Sequence, residues 1–195
     1  MGFVNEYMNV EAHGNTKLNV IHTNDKKQMA TSLEQYERQL RIQRHKIVGI
    51  DLEYNNKPDV MQKPALVQLF VSKTQPVLLF QRSTAERCTV LDNFLADPMV
   101  PDATKELYSL ADVAGMLNDD YYNNMKKKIT TEEHTRWATL PLSMRHIEYA
   151  IKDAYEAYEI WNRITLTQDG LRRAKLEKEE PPKKRARSSS GDSTW

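Results

Sequence analysis

Residues 45–54, HKIVGIDLEY, constrain the fold of this chain more than any other stretch. Ile47, Val48 and Ile50 are apolar and β-branched, so the run belongs in the interior of a sheet. The same run carries two carboxylates, Asp51 and Glu53, separated by a single residue. Side chains alternate along a strand, so both carboxylates leave the same face. Ionised carboxylates beside a core are costly unless neutralised, and a divalent cation neutralises them well. A strand that has simply reached solvent, with both acids in the turn after it, fits the segment equally.

Residues 142–164, LSMRHIEYAIKDAYEAYEIWNRI, form the strongest helical pattern. Ser143 suits the N-cap, where its oxygen can accept from an orphan backbone N–H. Leu142 and Ile147 stand where a hydrophobic staple places its two partners. Ile147, Ile151, Ala154, Tyr158 and Trp161 recur at helical spacing as one expected buried stripe. Tyr149 and Asp153 are four residues apart and so neighbours on a different face, which also carries Glu156. Read alone, that face is also compatible with plain exposure to water.

Taken in order, these motifs resemble the DEDDy branch of the 3′–5′ exonucleases, in particular the plant proteins related to the Werner-type exonuclease domain. The carrying residues are Asp51-x-Glu53, the apolar runs 64–71 (PALVQLFV) and 76–80 (PVLLF), Trp137 followed by Pro141, Leu142 and Ser143, and Tyr149-x-x-x-Asp153. The resemblance covers residues 18–164. It implies an α/β fold, an RNase H-like mixed sheet flanked by helices, with runs 64–71 and 76–80 as the next two strands of a meander.

The resemblance also implies a chemistry. Two divalent ions, Mg²⁺ or Mn²⁺, about 3.5–4 Å apart, clamp the attacking and leaving oxygens of a phosphodiester. Hard oxygen donors suit such ions. By resemblance Asp51 would bridge both metals, Glu53 and Asp153 would hold the metal that activates water, and Tyr149 would orient that water. A phenol with a pKa of about 10 is a poor base unaided. DNA or RNA 3′ ends would be the substrate and nucleoside monophosphates the product.

The chain departs from the family in one place. The third of the family's four acidic residues lies on a helix entered from a further strand, and no matching segment occurs here. A helix expected over residues 84–95 ends at Ala96-Asp97-Pro98. Residues 102–110 (DATKELYSL) already resemble the family's segment beyond that helix. The segment after about residue 100 is thus shortened, as by an internal deletion. Asp97, Asp102, Asp112, Asp119 and Asp120 are the stand-ins available for the fourth ligand, and none matches the motif. In the family the missing strand lies beside the Asp-x-Glu strand. Its loss would leave an apolar sheet edge, truncating the sheet on one side and inviting self-association. A catalytically inactive relative that binds nucleic acid or protein is therefore the competing expectation.

The remaining chain bounds the rest. Its 195 residues suffice for one domain with tails, and a formal net charge of +1 does not mark a nucleic-acid binder. The single Cys88 excludes an internal disulfide and falls in the apolar pattern of a helix, as a buried inert thiol. No secretory signal or membrane span is legible, which points to an intracellular protein. Residues 1–17 read as a loose N-terminus, 18–168 as the exonuclease-like domain and 169–195 as a disordered basic and Ser-rich tail. Within the domain, 18–23 reads as a strand and 31–43 as a helix with Ser32 and Gln35 as a capping box. Lys126, Lys127 and Lys128 read as a solvated loop rather than a phosphate contact. In the tail, Arg172 and Arg173 precede Lys183, Lys184, Arg185 and Arg187 at a spacing compatible with a bipartite nuclear import signal. Nonspecific nucleic-acid contact is the alternative role for those charges.

Overall fold

The computed structural model describes residues 2–12, 16–55, 64–82, 88–98 and 129–179. In chain order its elements are β1 (Asn5–Glu11), β2 (Lys17–Thr23), α1 (Lys26–Ile42), β3 (Gly49–Glu53), β4 (Leu66–Phe70), β5 (Val77–Gln81), α2 (Thr89–Ala96), a 3-10 turn (Glu133–Thr135) and α3 (Met144–Glu179). β4 and β5 are buried along their whole length, so the sheet must be covered on both faces. The cover follows the alternation of the strands. Leu66, Phe70, Val77 and Leu79 pack with Ile147, Ala150, Ile151 and Ala154 of α3. Val67, Leu69, Leu78 and Phe80 pack with Met29, Leu33, Tyr36 and Leu40 of α1 and with Leu91 and Phe94 of α2.

The strands lie in the order β1-β2-β5-β4-β3. β2 and β5 run parallel, whereas β1–β2, β5–β4 and β4–β3 are antiparallel. This is the α/β, RNase H-like mixed sheet flanked by helices that the motifs imply, and it is open rather than closed. β3 stands at one edge, pairing among the described residues only with β4.

Several local expectations give way. Asn5–Glu11, within the stretch read as loose, pairs with β2 from Asn5↔Thr23 to Glu11↔Lys17. Only Val10 of β1 is buried, so backbone pairing holds this edge strand and no side-chain alternation announces it. α1 starts earlier than read, at an N-cap made by Asp25, whose side chain accepts from Lys27 N at 2.9 Å. Ser32 lies inside the helix and donates to Gln28 O instead of capping. Cys88 sits at the N-cap position of α2, outside the helical residues, and is buried beside Met29 with its Sγ 3.9 Å from Met29 Sδ.

α3 is also longer than its apolar stripe. Ile147, Ile151 and Ala154 are buried, but Trp161 is 53% exposed, because the helix has outrun the sheet by that point. Asp169, read as the start of a disordered tail, is helical and ion-paired. Its Oδ2 lies 3.0 Å from Arg44 and 2.9 Å from His45 Nε2, which ties the distal helix to the segment between α1 and β3. Arg172 and Arg173 are exposed on the same helix, while Lys183, Lys184, Arg185 and Arg187 lie outside the described residues. No described helix is long and apolar enough to cross a membrane.

Candidate metal centre

β3 presents Gly49, Asp51 and Glu53 on its α3-facing side, because successive strand residues alternate. Gly49 sets how near the helix can come. A Cβ at this position would stand 2.1 Å from Ala154 O and 3.0 Å from Tyr158 N, so only glycine allows the observed approach. Ala154 directly follows Asp153. The close crossing at Gly49 therefore delivers Asp153 to the strand acids. One oxygen from each of Asp51, Glu53 and Asp153 lies within 4.8 Å of the other two. Asp51 and Glu53 are half-buried, and Asp153 is only 4% exposed.

This donor set fits a hard divalent cation. Two oxygens bound to one ion stand at most twice the metal–oxygen distance apart, about 4.2 Å for Mg²⁺ and up to about 5.2 Å for Ca²⁺. The span of the triad falls in that range. Three carboxylates gathered at the edge of a core repel one another, and a cation removes that repulsion. Glu156, one turn beyond Asp153, is also buried, so the Tyr149/Asp153/Glu156 side of the helix is no exposed polar face.

Gln68 of β4 supports the cluster from below. It is the register partner of Asp51, is wholly buried, and donates from Nε2 to Asp51 Oδ2 at 3.2 Å.

Tyr149 is half-buried one turn before Asp153, among aromatic rings. Its ring lies 6.0 Å from Trp137 and 5.9 Å, edge to face, from His134. Trp137 is fully buried, donates from Nε1 to His134 Nδ1 at 3.3 Å, and meets His146 edge to face at 4.7 Å. His146 Nε2 faces the Glu133 carbonyl at 3.0 Å and must donate to it, so its Nδ1 accepts from Ser143 Oγ at 2.7 Å. Ser143 Oγ in turn accepts from His146 N at 3.4 Å, which is the expected N-cap. Gln81 Nε2 donates to the carbonyls of Trp137 (2.9 Å) and Thr139 (2.7 Å), and Asn55 Oδ1 accepts from Ala138 N at 2.9 Å. β5 and the chain just past β3 thus hold the turn that feeds α3.

The acids named from the sequence converge, and Tyr149 stands on the same helix beside them. Asp97 does not join them. It is the C-cap of α2, a helix that packs on the opposite face of the sheet. Asp102, Asp112, Asp119 and Asp120, with Lys126, Lys127 and Lys128, lie outside the described residues. Sequence reasoning missed Gly49 and Gln68. A glycine inside a β-branched run and a lone amide in an apolar run were the available signals.

The chain is thus a small α/β domain whose mixed sheet carries a clustered acidic triad, an arrangement consistent with a generic RNase H-like, metal-binding fold. No protein-family profile matches it, and no curated protein matches it at a significant level.

Proposed function

We propose that this chain is a metal-dependent 3′–5′ exonuclease-like protein that hydrolyses nucleic-acid 3′ ends to nucleoside monophosphates. The observation that carries the reading is the meeting of Asp51, Glu53 and Asp153, from strand and helix, within 4.8 Å. These three carboxylates would hold Mg²⁺ or Mn²⁺. The bound cation supplies neutralisation of phosphate charge and a more acidic water. Tyr149, braced by Trp137 and His134, orients the attacking water through its hydroxyl and leaves proton removal to a stronger base. The resemblance to the DEDDy enzymes, in the order of motifs along the chain, supports the same assignment.

A second reading has its own observation. The cluster among the described residues contains three acids, where the DEDDy pattern has four. A protein that binds 3′ ends without cutting them fits that count, and the open edge of β3 offers a surface for a second copy. Labelled single- and double-stranded oligonucleotides incubated with Mg²⁺ or Mn²⁺ separate the two readings. Shortening from the 3′ end that EDTA and Asp51→Asn/Glu53→Gln abolish supports the exonuclease. Binding without shortening by folded protein supports the inactive module.

The basic residues Arg172, Arg173, Lys183, Lys184, Arg185 and Arg187 act in this proposal as a nuclear import signal for an import receptor. A reporter fused to residues 169–195 that remains cytoplasmic removes that part of the proposal.

A further inference from the structure

β4 carries four apolar side chains and one amide. Gln68 is 0% exposed, in the middle of the most buried ladder of the sheet. Its Nε2 reaches Asp51 Oδ2, but its Oε1 is buried and meets no donor among the described residues. A buried acceptor left without a donor weakens the fold, whereas an apolar side chain of similar size would incur no such loss. Stability of the core therefore does not explain an amide at this position. Its side-chain hydrogen bond runs to a member of the acidic cluster, and departures from core chemistry gather at functional sites.

We propose that Gln68 is a positioning residue for the metal centre, and this inference rests on the metal-binding reading above. The Asp51↔Gln68 register places the two side chains directly opposite on the same face. Burial prevents the amide from swinging away. Rotating it by half a turn would set Oε1 against a carboxylate oxygen, so the N–H must face Asp51. The donor fixes the plane of the carboxylate and favours its ionised form. Asp51 is thus oriented before a cation arrives, and the triad loses less freedom on binding. No other described strand residue opposite the acids can do this, because Glu53 faces Leu66 and Gly49 faces Phe70.

The test is a Mn²⁺ titration of the full chain, read by the electron paramagnetic resonance of free Mn²⁺, with melting temperatures measured alongside. Wild type, Gln68→Met, Gln68→Leu and Asp51→Asn are compared. Gln68→Met and Gln68→Leu are expected to melt at or above the wild-type temperature and to bind Mn²⁺ about 10–100-fold more weakly, the range for lost outer partners of a metal ligand. Asp51→Asn should bind more weakly still. Wild-type affinity in both Gln68 variants, with Asp51→Asn impaired, would overturn the role of Gln68 and leave the metal centre standing. Lower melting temperatures in both variants, with wild-type affinity in the folded fraction, would assign Gln68 to packing and overturn the proposal. Absence of Mn²⁺ binding by the wild type would overturn the metal reading and this inference with it.

Discussion

Gly49 and Ala154 pack backbone to backbone: a methyl group on the glycine would stand 2.1 Å from the Ala154 carbonyl oxygen. That contact joins the acidic strand to the helix bearing Asp153. Overpacking a tight contact costs about 1–3 kcal/mol, and a clash with backbone offers little relief. Gly49→Ala should therefore destabilise the domain by at least that range in urea unfolding. Pushing β3 from α3 should also weaken Mn²⁺ binding, and wild-type stability in this variant would contradict the close approach.

The triad should couple cation binding to folding. At a cation concentration near 100 times Kd, binding stabilises the folded state by about 2.7 kcal/mol. For a domain of this size that raises Tm by about 5–10 °C. Asp153→Asn should abolish the rise and, by relieving repulsion among the acids, leave the metal-free protein as stable as wild type or more so. Differential scanning calorimetry with and without Mn²⁺ reads both effects.

Tyr149→Phe keeps the ring that packs on Trp137 and His134 and removes only the hydroxyl. Stability and Mn²⁺ affinity should change little. If the chain hydrolyses 3′ ends, kcat should fall by about 10²–10⁴-fold, the usual contribution of a positioned proton-handling group. An unchanged kcat would remove Tyr149 from the mechanism.

Glu133 predicts a pH effect outside the acidic cluster. The Thr130 backbone N–H donates to it at 2.8 Å, and Arg145 lies 3.2 Å away. The Thr130 hydrogen bond, aided by the positive charge of Arg145, holds its carboxyl below the usual range despite slight desolvation. A depressed carboxyl stabilises the fold above its unfolded pKa, about 4.3 for Glu, and that contribution fades as pH falls below it. Glu133→Gln should flatten the acid limb of the stability curve below about pH 4.3. Unfolding midpoints measured at several acidic pH values test this.

Much of the fold was legible because its signals are local. The apolar runs became β4 and β5, and the stripe Ile147, Ile151 and Ala154 became the buried face of α3. β1 escaped notice because an edge strand needs backbone partners more than apolar side chains. The early start of α1 escaped because its first turns bury only Met29 before Ser32 and Leu33. Trp161 misled because periodicity continues in the chain after the sheet beneath it has ended.

The sequence alone determined that Asp51 and Glu53 share a strand face, and that Tyr149 and Asp153 share a helix face. Both follow from the period of one element. Whether those faces meet was a tertiary matter. It depended on how closely two backbones pass at Gly49, and on the β3–β4 register that sets Gln68 under Asp51. Periodicity is a property of neighbours along the chain, whereas the separation of three oxygens is decided by the packing of elements far apart in it.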